Sequence, residues 1–147
     1  MLRLVLDTNT WLDVLVFRDP GIAAICEAHA AHRAEILVDA DGEVELIRAL
    51  AYNFGKHTLD EARQAARVAE FRQMSVHVKS KSAGGGTATL PLCRDPDDQK
   101  FLETALAVHA DILITKDRAL LDLARRVPFR ILTPAAFAEL GANAPQS

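Results

Sequence analysis

The sequence has little of what marks several common protein classes. Only two of its 147 residues are cysteine, Cys26 and Cys93, and they show neither a CxxC motif nor metal-ligand spacing. This pattern predicts two reduced, partly buried thiols rather than metal ligands. Apolar runs are short, and none approaches the roughly 20 residues of a membrane span. Residues 1–6 run into Asp7 without a signal-peptide pattern, so we expect a cytoplasmic protein that does not contact a membrane.

The chain also lacks a strong excess of charge. It carries 17 Lys and Arg against 20 Asp and Glu, which gives a net charge of −3. This argues against a protein that binds nucleic acid over its whole surface, because phosphate contacts need a basic face. It does not exclude a nuclease, because a metal cluster and a few basic side chains can supply positive charge locally. Hydrophobic residues make up 50% of the chain, which is enough to bury a core.

What is present is an alternation of short apolar runs with helical patterns. We predict strands at residues 2–6, 36–38, 75–79, 112–115 and 130–132. We predict helices at residues 21–32, 42–54, 59–73, 97–110, 118–125 and 134–140. Unbroken apolar strands that alternate with helices indicate a parallel sheet covered on both faces. The predicted fold class is therefore α/β, with three layers (α/β/α) around a central, mostly parallel sheet of about five strands.

One low-complexity stretch interrupts this pattern without dividing it. Residues 80–91 include three consecutive glycines, Gly84–Gly86, which cannot hold a regular element cheaply. Because α/β pattern continues on both sides, we predict a flexible loop inside a single domain that spans residues 1–140. The loop is either a lid over the site or an idle insertion. Residues 141–147 are predicted to be a frayed tail.

Several acidic residues lie where this class of fold binds ligands, at the carboxyl ends of parallel strands. Asp7 follows the first strand directly, and Asp117 follows the fourth strand by two residues. Asp98 lies at the start of a helix, on its core-facing side, and Glu45 lies inside an earlier helix. Helix capping is the alternative explanation for the three aspartates. It does not explain Glu45, for which an exposed helical carboxylate is the alternative.

Carboxylates that converge need compensating charge, because like charges a few ångströms apart raise one another's pKa. A divalent cation resolves this conflict, and hard oxygen ligands favour Mg²⁺ or Mn²⁺ over zinc. A metal in such a site suits the hydrolysis of phosphodiester bonds.

Four segments resemble, in their order and spacing, the motifs of the PIN-domain family. They are residues 4–9 with the sequence Leu-Val-Leu-Asp-Thr-Asn, residues 93–103, residues 110–117 followed by 120–123, and residues 131–134 with Phe137. The second segment closely resembles the bacterial and archaeal branch described as the toxin component of toxin–antitoxin systems, the VapC-like ribonucleases. The resemblance spans nearly the whole chain.

This resemblance implies a set of site residues. The metal-binding and catalytic acids are Asp7, Glu45, Asp98 and Asp117. The supporting residues are Asn9, which braces the first acid, and Thr115, which lies beside the last acid.

Some positions of the site remain open. Asp95 and Asp97 are additional candidate acids, for which a turn and a helix cap are the alternative. Glu45 is preferred to Glu43, because residues 45–50 fit the family pattern Glu-Leu-x-Arg-x-Leu. The sequence departs from the family at Asp39, where a Ser is common nearby.

Four basic residues lie close in sequence to these acids. They are Arg48, Arg94, Lys116 and Arg118, and they are candidates for substrate binding, with solvated surface charges as the alternative.

The resemblance implies an endoribonuclease that uses Mg²⁺ or Mn²⁺, the toxin of a type II toxin–antitoxin pair. Its expected partners are RNA, a small antitoxin encoded separately, and a second copy of the chain in a homodimer. The alternative is a non-catalytic PIN-fold module that binds RNA or protein, and the presence of all four acids argues against it. A phosphatase of the haloacid-dehalogenase type would need Asp where Asn9 stands, and a receiver domain leaves Asp98 unexplained.

Overall fold

The computed structural model of the chain describes residues 1–79 and 90–143. Its strands are β1 Leu2–Leu6, β2 Ala34–Val38, β3 Ser75–His77, β4 Ile112–Ile114 and β5 Arg130–Leu132. They form one sheet in the order β3-β2-β1-β4-β5, and each neighbouring pair is parallel. The predicted central, mostly parallel sheet of about five strands is confirmed.

Helices connect the strands. They are α1 Thr8–Leu12, α2 Ala23–Ala30, α3 Ala40–Leu50, α4 Glu61–Met74, α5 Gln99–Ala107, α6 Arg118–Leu121 and α7 Pro134–Asn143. A π-helical segment, Asp13–Phe17, continues α1, and 3₁₀ turns lie at Pro20–Ile22, Gly55–His57, Pro96–Asp98 and Ala124–Arg126. Across residues 1–79 and 90–143, none of the helices is long and apolar enough to cross a membrane.

Both faces of the sheet are covered, which explains why the buried parts of its central strands, such as residues 4–6 and Ile112–Ile114, are apolar. Successive side chains of a strand point to opposite faces. In β1, Leu4 and Leu6 pack into a core cluster with Trp11 of α1 and Phe71 of α4. The intervening Val5 belongs to a second cluster, which includes residues of α5 and α6. The three-layer α/β/α architecture predicted from the sequence is thereby confirmed.

Helix α3 differs from the predicted helix over residues 42–54 at both ends. It begins earlier because Asp39 caps it, with the Asp39 side chain accepting a hydrogen bond from the backbone N–H of Gly42 at 2.9 Å. The helix ends at Leu50. Its buried side is formed by Leu46, Ala49 and Leu50, whereas Val44 and Ile47 are exposed.

The other five predicted helices and three of the strands also differ from their predicted bounds by a few residues. The helix predicted over residues 118–125 ends at Leu121 and gives way to a 3₁₀ turn. Helix α7 continues to Asn143, which is beyond the predicted start of the frayed tail at residue 141. Residues 144–147 of that tail, and residues 80–89 of the predicted loop with Gly84–Gly86, lie outside the described residues.

The packing of Phe71 gives a direct test of this core. Phe71 is fully buried and meets the Trp11 ring edge-on, with 4.7 Å between ring centroids. We expect Phe71→Ala to lower the free energy of unfolding by about 3–5 kcal/mol, because it removes a large buried side chain and leaves a cavity. Urea denaturation measures this change. The exposed Leu92 provides the control, since Leu92→Ala should stay within about 0.5 kcal/mol of the native chain. A loss from Phe71→Ala no larger than that of the control would contradict the packing.

Candidate functional site

The site lies where the strand order reverses. From β1 the chain passes to β2 on one side of the sheet, and it later returns to β4 on the other side of β1. Connections that diverge in this way leave a crevice at the carboxyl ends of the two central strands, which is the usual ligand position in open α/β sheets. Asp7 follows β1 directly, and Thr115 follows β4 directly. The topology therefore brings these two residues together.

Asp7 is a buried carboxylate held on both of its oxygens. It caps α1, with Oδ1 accepting a hydrogen bond from the backbone N–H of Thr10 at 2.9 Å. Its Oδ2 accepts a hydrogen bond from the hydroxyl of Thr115. Burial raises the pKa of Asp7, the bonds from Thr10 and Thr115 lower it, and the nearby charge of Asp117 raises it. Helix capping is thus one role of Asp7, and it coexists with a place among the other acids.

Thr115 joins the first acid to the last. Its side chain is fully buried, and its hydroxyl donates to Asp7. The same oxygen accepts a hydrogen bond from the backbone N–H of Asp117 at 2.9 Å. Asp117 in turn caps α6, with Oδ1 accepting from the backbone N–H of Ala119 at 2.8 Å. Both predicted acids that follow strands are therefore positioned through one hydroxyl.

Asp98 and Asp117 form a coupled pair of carboxyl groups. Burial, the hydrogen bond to Asp117 and the charges of Asp117, Asp95 and Asp7 raise the pKa of Asp98 to about 8. The pKa of Asp117 is lowered, by the bond from Asp98, by the backbone of Ala119 and by the charge of Arg94. Near neutral pH and without a cation, the pair thus holds a proton on Asp98 and a charge on Asp117.

The acids fit a divalent cation with oxygen ligands. Asp95, Asp98 and Asp117 each offer one carboxylate oxygen, and these oxygens lie within 4.8 Å of one another. Oδ2 of Asp98 is buried and has no hydrogen-bond partner within the described parts of the chain. A buried, unpaired carboxylate oxygen is costly unless a cation or a proton satisfies it. Oxygen donors of this kind are those that Mg²⁺ and Mn²⁺ prefer.

A cleft of about 170 Å³ connects Asp98 with the remaining predicted acids. Asp7, Glu45, Asp98 and Asn9 all line it. Glu45 reaches the cleft from α3 and forms an ion pair with Lys100 of α5, and both side chains are partly buried.

Glu43, the alternative to Glu45, faces elsewhere. Its carboxylate contacts Arg72 at 3.0 Å and His77 at 3.1 Å, beside α4 and β3. Of the two glutamates on α3, Glu45 is therefore the one that lines the cleft with Asp7.

Asn9, predicted as a supporting residue, and the additional acids Asp95 and Asp97 lie in different parts of the site. Asn9 is exposed and lines the cleft, while the hydrogen bonds described for Asp7 come from Thr10 and Thr115. Asp95 belongs to the group of three oxygens, and it also caps the 3₁₀ turn by accepting from the N–H of Asp97 at 3.0 Å. Asp97 itself is exposed and lines a neighbouring cleft.

The four predicted basic residues do not converge on the acids. Arg94 pairs with Asp122 at 2.8 Å, although its charge also lowers the pKa of Asp117. Lys116 pairs with Asp13 and lies 3.6 Å from Asp19. The other two are exposed: Arg48 lines the neighbouring cleft and Arg118 begins α6.

Sequence reasoning missed one buried acid at a strand end and one ion pair of the cleft. Asp39 is buried at the end of β2, where its second oxygen accepts from the hydroxyl of Thr104 at 3.0 Å. It follows its strand directly, as Asp7 does, so the same rule could have found it. The contact of Lys100 with Glu45 joins residues 55 positions apart, and spacing gives no signal for such a pair.

The raised pKa of Asp98 predicts a pH-dependent stability in the absence of a cation. The folded protein holds a proton on Asp98 up to about pH 8, whereas the unfolded chain releases it near its ordinary pKa of 3.8. Folding therefore loses stability as the pH rises between these values. In EDTA, we expect Asp98→Asn to raise the melting temperature more at about pH 8 than at about pH 5. Glu61→Gln, at an exposed position on α4, is the control and should show no such trend. An equal shift from Asp98→Asn at both pH values would contradict the coupling.

Comparison with known proteins gives a family match and a similar fold. Residues 3–119 match the family model of the PIN domain. The fold is similar to that in a crystal structure of VapBC2 from Rickettsia felis bound to a DNA fragment from their promoter, with a TM-score of 0.59 and 15% sequence identity. That alignment covers 89% of this chain and 97% of the other. No protein of curated function matches the sequence. Because the family model covers most of the chain, as the motifs predicted, the protein belongs to the PIN-domain family.

Proposed function

We propose that this protein is an endoribonuclease that hydrolyses RNA phosphodiester bonds with the help of Mg²⁺ or Mn²⁺. The observation that carries the proposal is the set of carboxylate oxygens of Asp95, Asp98 and Asp117, which lie within 4.8 Å of one another beside Asp7 at the reversal of the strand order. Membership of the PIN-domain family supports it further.

The cation would be held by Asp95, Asp98 and Asp117, with Asp7 and Glu45 facing the same cleft. When bound, it supplies positive charge to the phosphodiester and favours ionisation of the attacking water. Thr115 fixes Asp7 and Asp117, so that their carboxylates need little reorganisation when substrate arrives. The hydrolysis itself adds water to phosphorus, breaks one P–O bond and returns a proton to the leaving oxygen.

The proton on Asp98 makes cation binding depend on pH. Cation binding requires ionised ligands, so it releases the proton that Asp98 holds near neutral pH. Raising the pH toward 8 therefore strengthens cation binding.

We also propose the biological setting implied by the family resemblance. The chain acts in the cytoplasm as the toxin of a type II toxin–antitoxin pair, blocked by a small antitoxin encoded separately, and forms a homodimer. The similar fold in a VapBC2 complex from Rickettsia felis supports this setting. Sedimentation of the purified chain, alone and with the product of a neighbouring gene, tests both partners.

Cleavage of a mixed RNA pool by the purified chain tests the proposed activity. We expect cutting with Mg²⁺ or Mn²⁺, none with EDTA, and a rate at least about 100-fold lower in Asp98→Asn, a typical loss when a catalytic electrostatic group is removed. A melting curve of Asp98→Asn checks that the variant is folded, so that a loss of activity can be assigned to the site.

Glu43→Gln provides the matched control. It removes a carboxylate from the same helix as Glu45, but one that pairs with Arg72 and His77 outside the cleft. It should cut RNA at the native rate. No cutting by folded native protein with either metal would favour the non-catalytic binding module instead. Cutting that persists in Asp98→Asn would place the site elsewhere.

A further inference from the structure

A row of aromatic rings borders the acidic cleft. It consists of Tyr52, Phe54, Phe17 and His57, and we call it the aromatic row. Ring centroids are 6.3 Å apart for Tyr52 and Phe54, 5.3 Å for Phe54 and Phe17, and 5.5 Å for Phe17 and His57. Tyr52 is 51% exposed and Phe17 is 37% exposed, although Phe, Trp and Tyr make up only 5% of the chain. Large exposed rings gathered in one place indicate a binding surface.

The turn that carries the row is fixed by its own hydrogen bonds. Oδ1 of Asn53 accepts from the N–H of Gly55 at 2.9 Å and from the hydroxyl of Thr58 at 3.0 Å. The Thr58 hydroxyl in turn accepts from the N–H of Phe54 at 2.8 Å. Gly55 adopts a φ of +63°, a conformation that side-chain-bearing residues rarely take. The backbone that follows Tyr52 and carries Phe54 is thus held in position before any ligand binds.

Tyr52 stands between two clefts. It lines the acidic cleft together with Asp7, Glu45 and Asp98. It also lines the neighbouring cleft, of about 380 Å³, together with Glu45 and Arg48. Tyr52 and Glu45 are the residues shared by the two clefts, so a chain that passes from Arg48 to the acids comes close to the Tyr52 ring.

The charges around the cleft make stacking the better source of affinity for RNA. The whole chain has a net charge of −3, and the cleft concentrates carboxylates. The nearby cations Arg94, Lys116 and Lys100 are each engaged in an ion pair with an acid. Arg48 lines the neighbouring cleft as a further, exposed cation, so attraction to phosphates on this surface depends on few side chains. Stacking of bases on aromatic rings does not depend on a basic surface, and every base offers a face for it.

We propose that Tyr52, supported by Phe54, stacks against an unpaired base of single-stranded RNA next to the bond that is cut, while Arg48 contacts a neighbouring phosphate. The inference rests on the proposed nuclease function and assigns to Tyr52 the placement of the RNA next to the bond that is cut. Bases within a duplex are stacked on their neighbours and do not offer a face to a side chain. Tyr52 is thus a positioning residue for the substrate rather than a catalytic residue.

Binding under conditions that do not depend on cleavage tests this inference. The probe is a fluorescently labelled RNA of about 12 nucleotides, single-stranded or paired with its complement, titrated in Ca²⁺ and followed by anisotropy. A gel confirms that the RNA stays intact. We expect the native chain to bind the single strand at least about tenfold more tightly than the duplex, and Tyr52→Ala to lose about tenfold in affinity for the single strand.

Two variants separate stacking from general effects. Tyr52→Phe keeps the ring and should bind within about twofold of the native chain, because stacking requires the ring and not the hydroxyl. Leu92→Ala removes another exposed apolar side chain and should also bind as the native chain does. A single strand that contains 5-iodouridine should crosslink on irradiation to the peptide that contains Tyr52, the one tyrosine of the sequence.

Equal affinity of Tyr52→Ala and the native chain, or equal affinity for single strand and duplex, would overturn the inference. So would a change in the oligomeric state of Tyr52→Ala without a change in RNA affinity, since the aromatic row would then be a protein interface. The expected binding results together with no cutting in Mg²⁺ or Mn²⁺ would leave stacking intact and overturn the nuclease proposal instead.

Discussion

The hydroxyl of Thr115 is the interaction on which the arrangement of the site depends. It donates to Asp7 at the end of β1 and accepts from the backbone of Asp117 beyond β4. These two strands are neighbours in the sheet, although Asp7 and Thr115 are 108 positions apart in the chain. A side chain without a hydroxyl would leave a buried oxygen of Asp7 without its donor, which is costly in the interior. One polar group thus links the fold, through strand pairing, to the spacing of the acids.

The same arrangement works against the stability of the protein. Carboxyl groups that lie this close cannot all ionise, and the conflict appears in the opposite pKa shifts of Asp98 and Asp117. The two apolar core clusters, one on each face of the sheet, offset this cost. The fixed separation of these mutually repelling acids prepares the site for a cation. The repulsion lowers the stability of the fold, and functional sites often carry such a cost in stability.

Much of the fold and part of the site could be predicted from the sequence, for reasons that differ between residues. Residues 4–6 of β1 and Ile112–Ile114 of β4 are unbroken apolar runs that are buried on both faces, so pattern alone located these strands. Asp7 and Asp117 follow such strands, and the strand rule found them. Helix α3 begins earlier than predicted because Asp39, which the sequence pattern did not mark as a cap, is its N-terminal cap. The pairing of Lys100 with Glu45 and the aromatic row depend on tertiary contacts that spacing does not encode.

If the Thr115 hydroxyl positions the acids for a cation, the affinity of the protein for Mn²⁺ must depend on that hydroxyl. Calorimetric titration of Mn²⁺ into the native chain, Thr115→Ser and Thr115→Val compares three side chains at one buried position. Valine keeps the size of threonine without its hydroxyl, and serine keeps the hydroxyl without the methyl group. We expect Thr115→Ser, which keeps the hydroxyl, to bind Mn²⁺ nearly as well as the native chain. Thr115→Val should bind about 10- to 100-fold more weakly, the usual loss when a group that orients metal ligands is removed. Equal affinity of folded Thr115→Val and the native chain for Mn²⁺ would show that the hydroxyl does not position the acids.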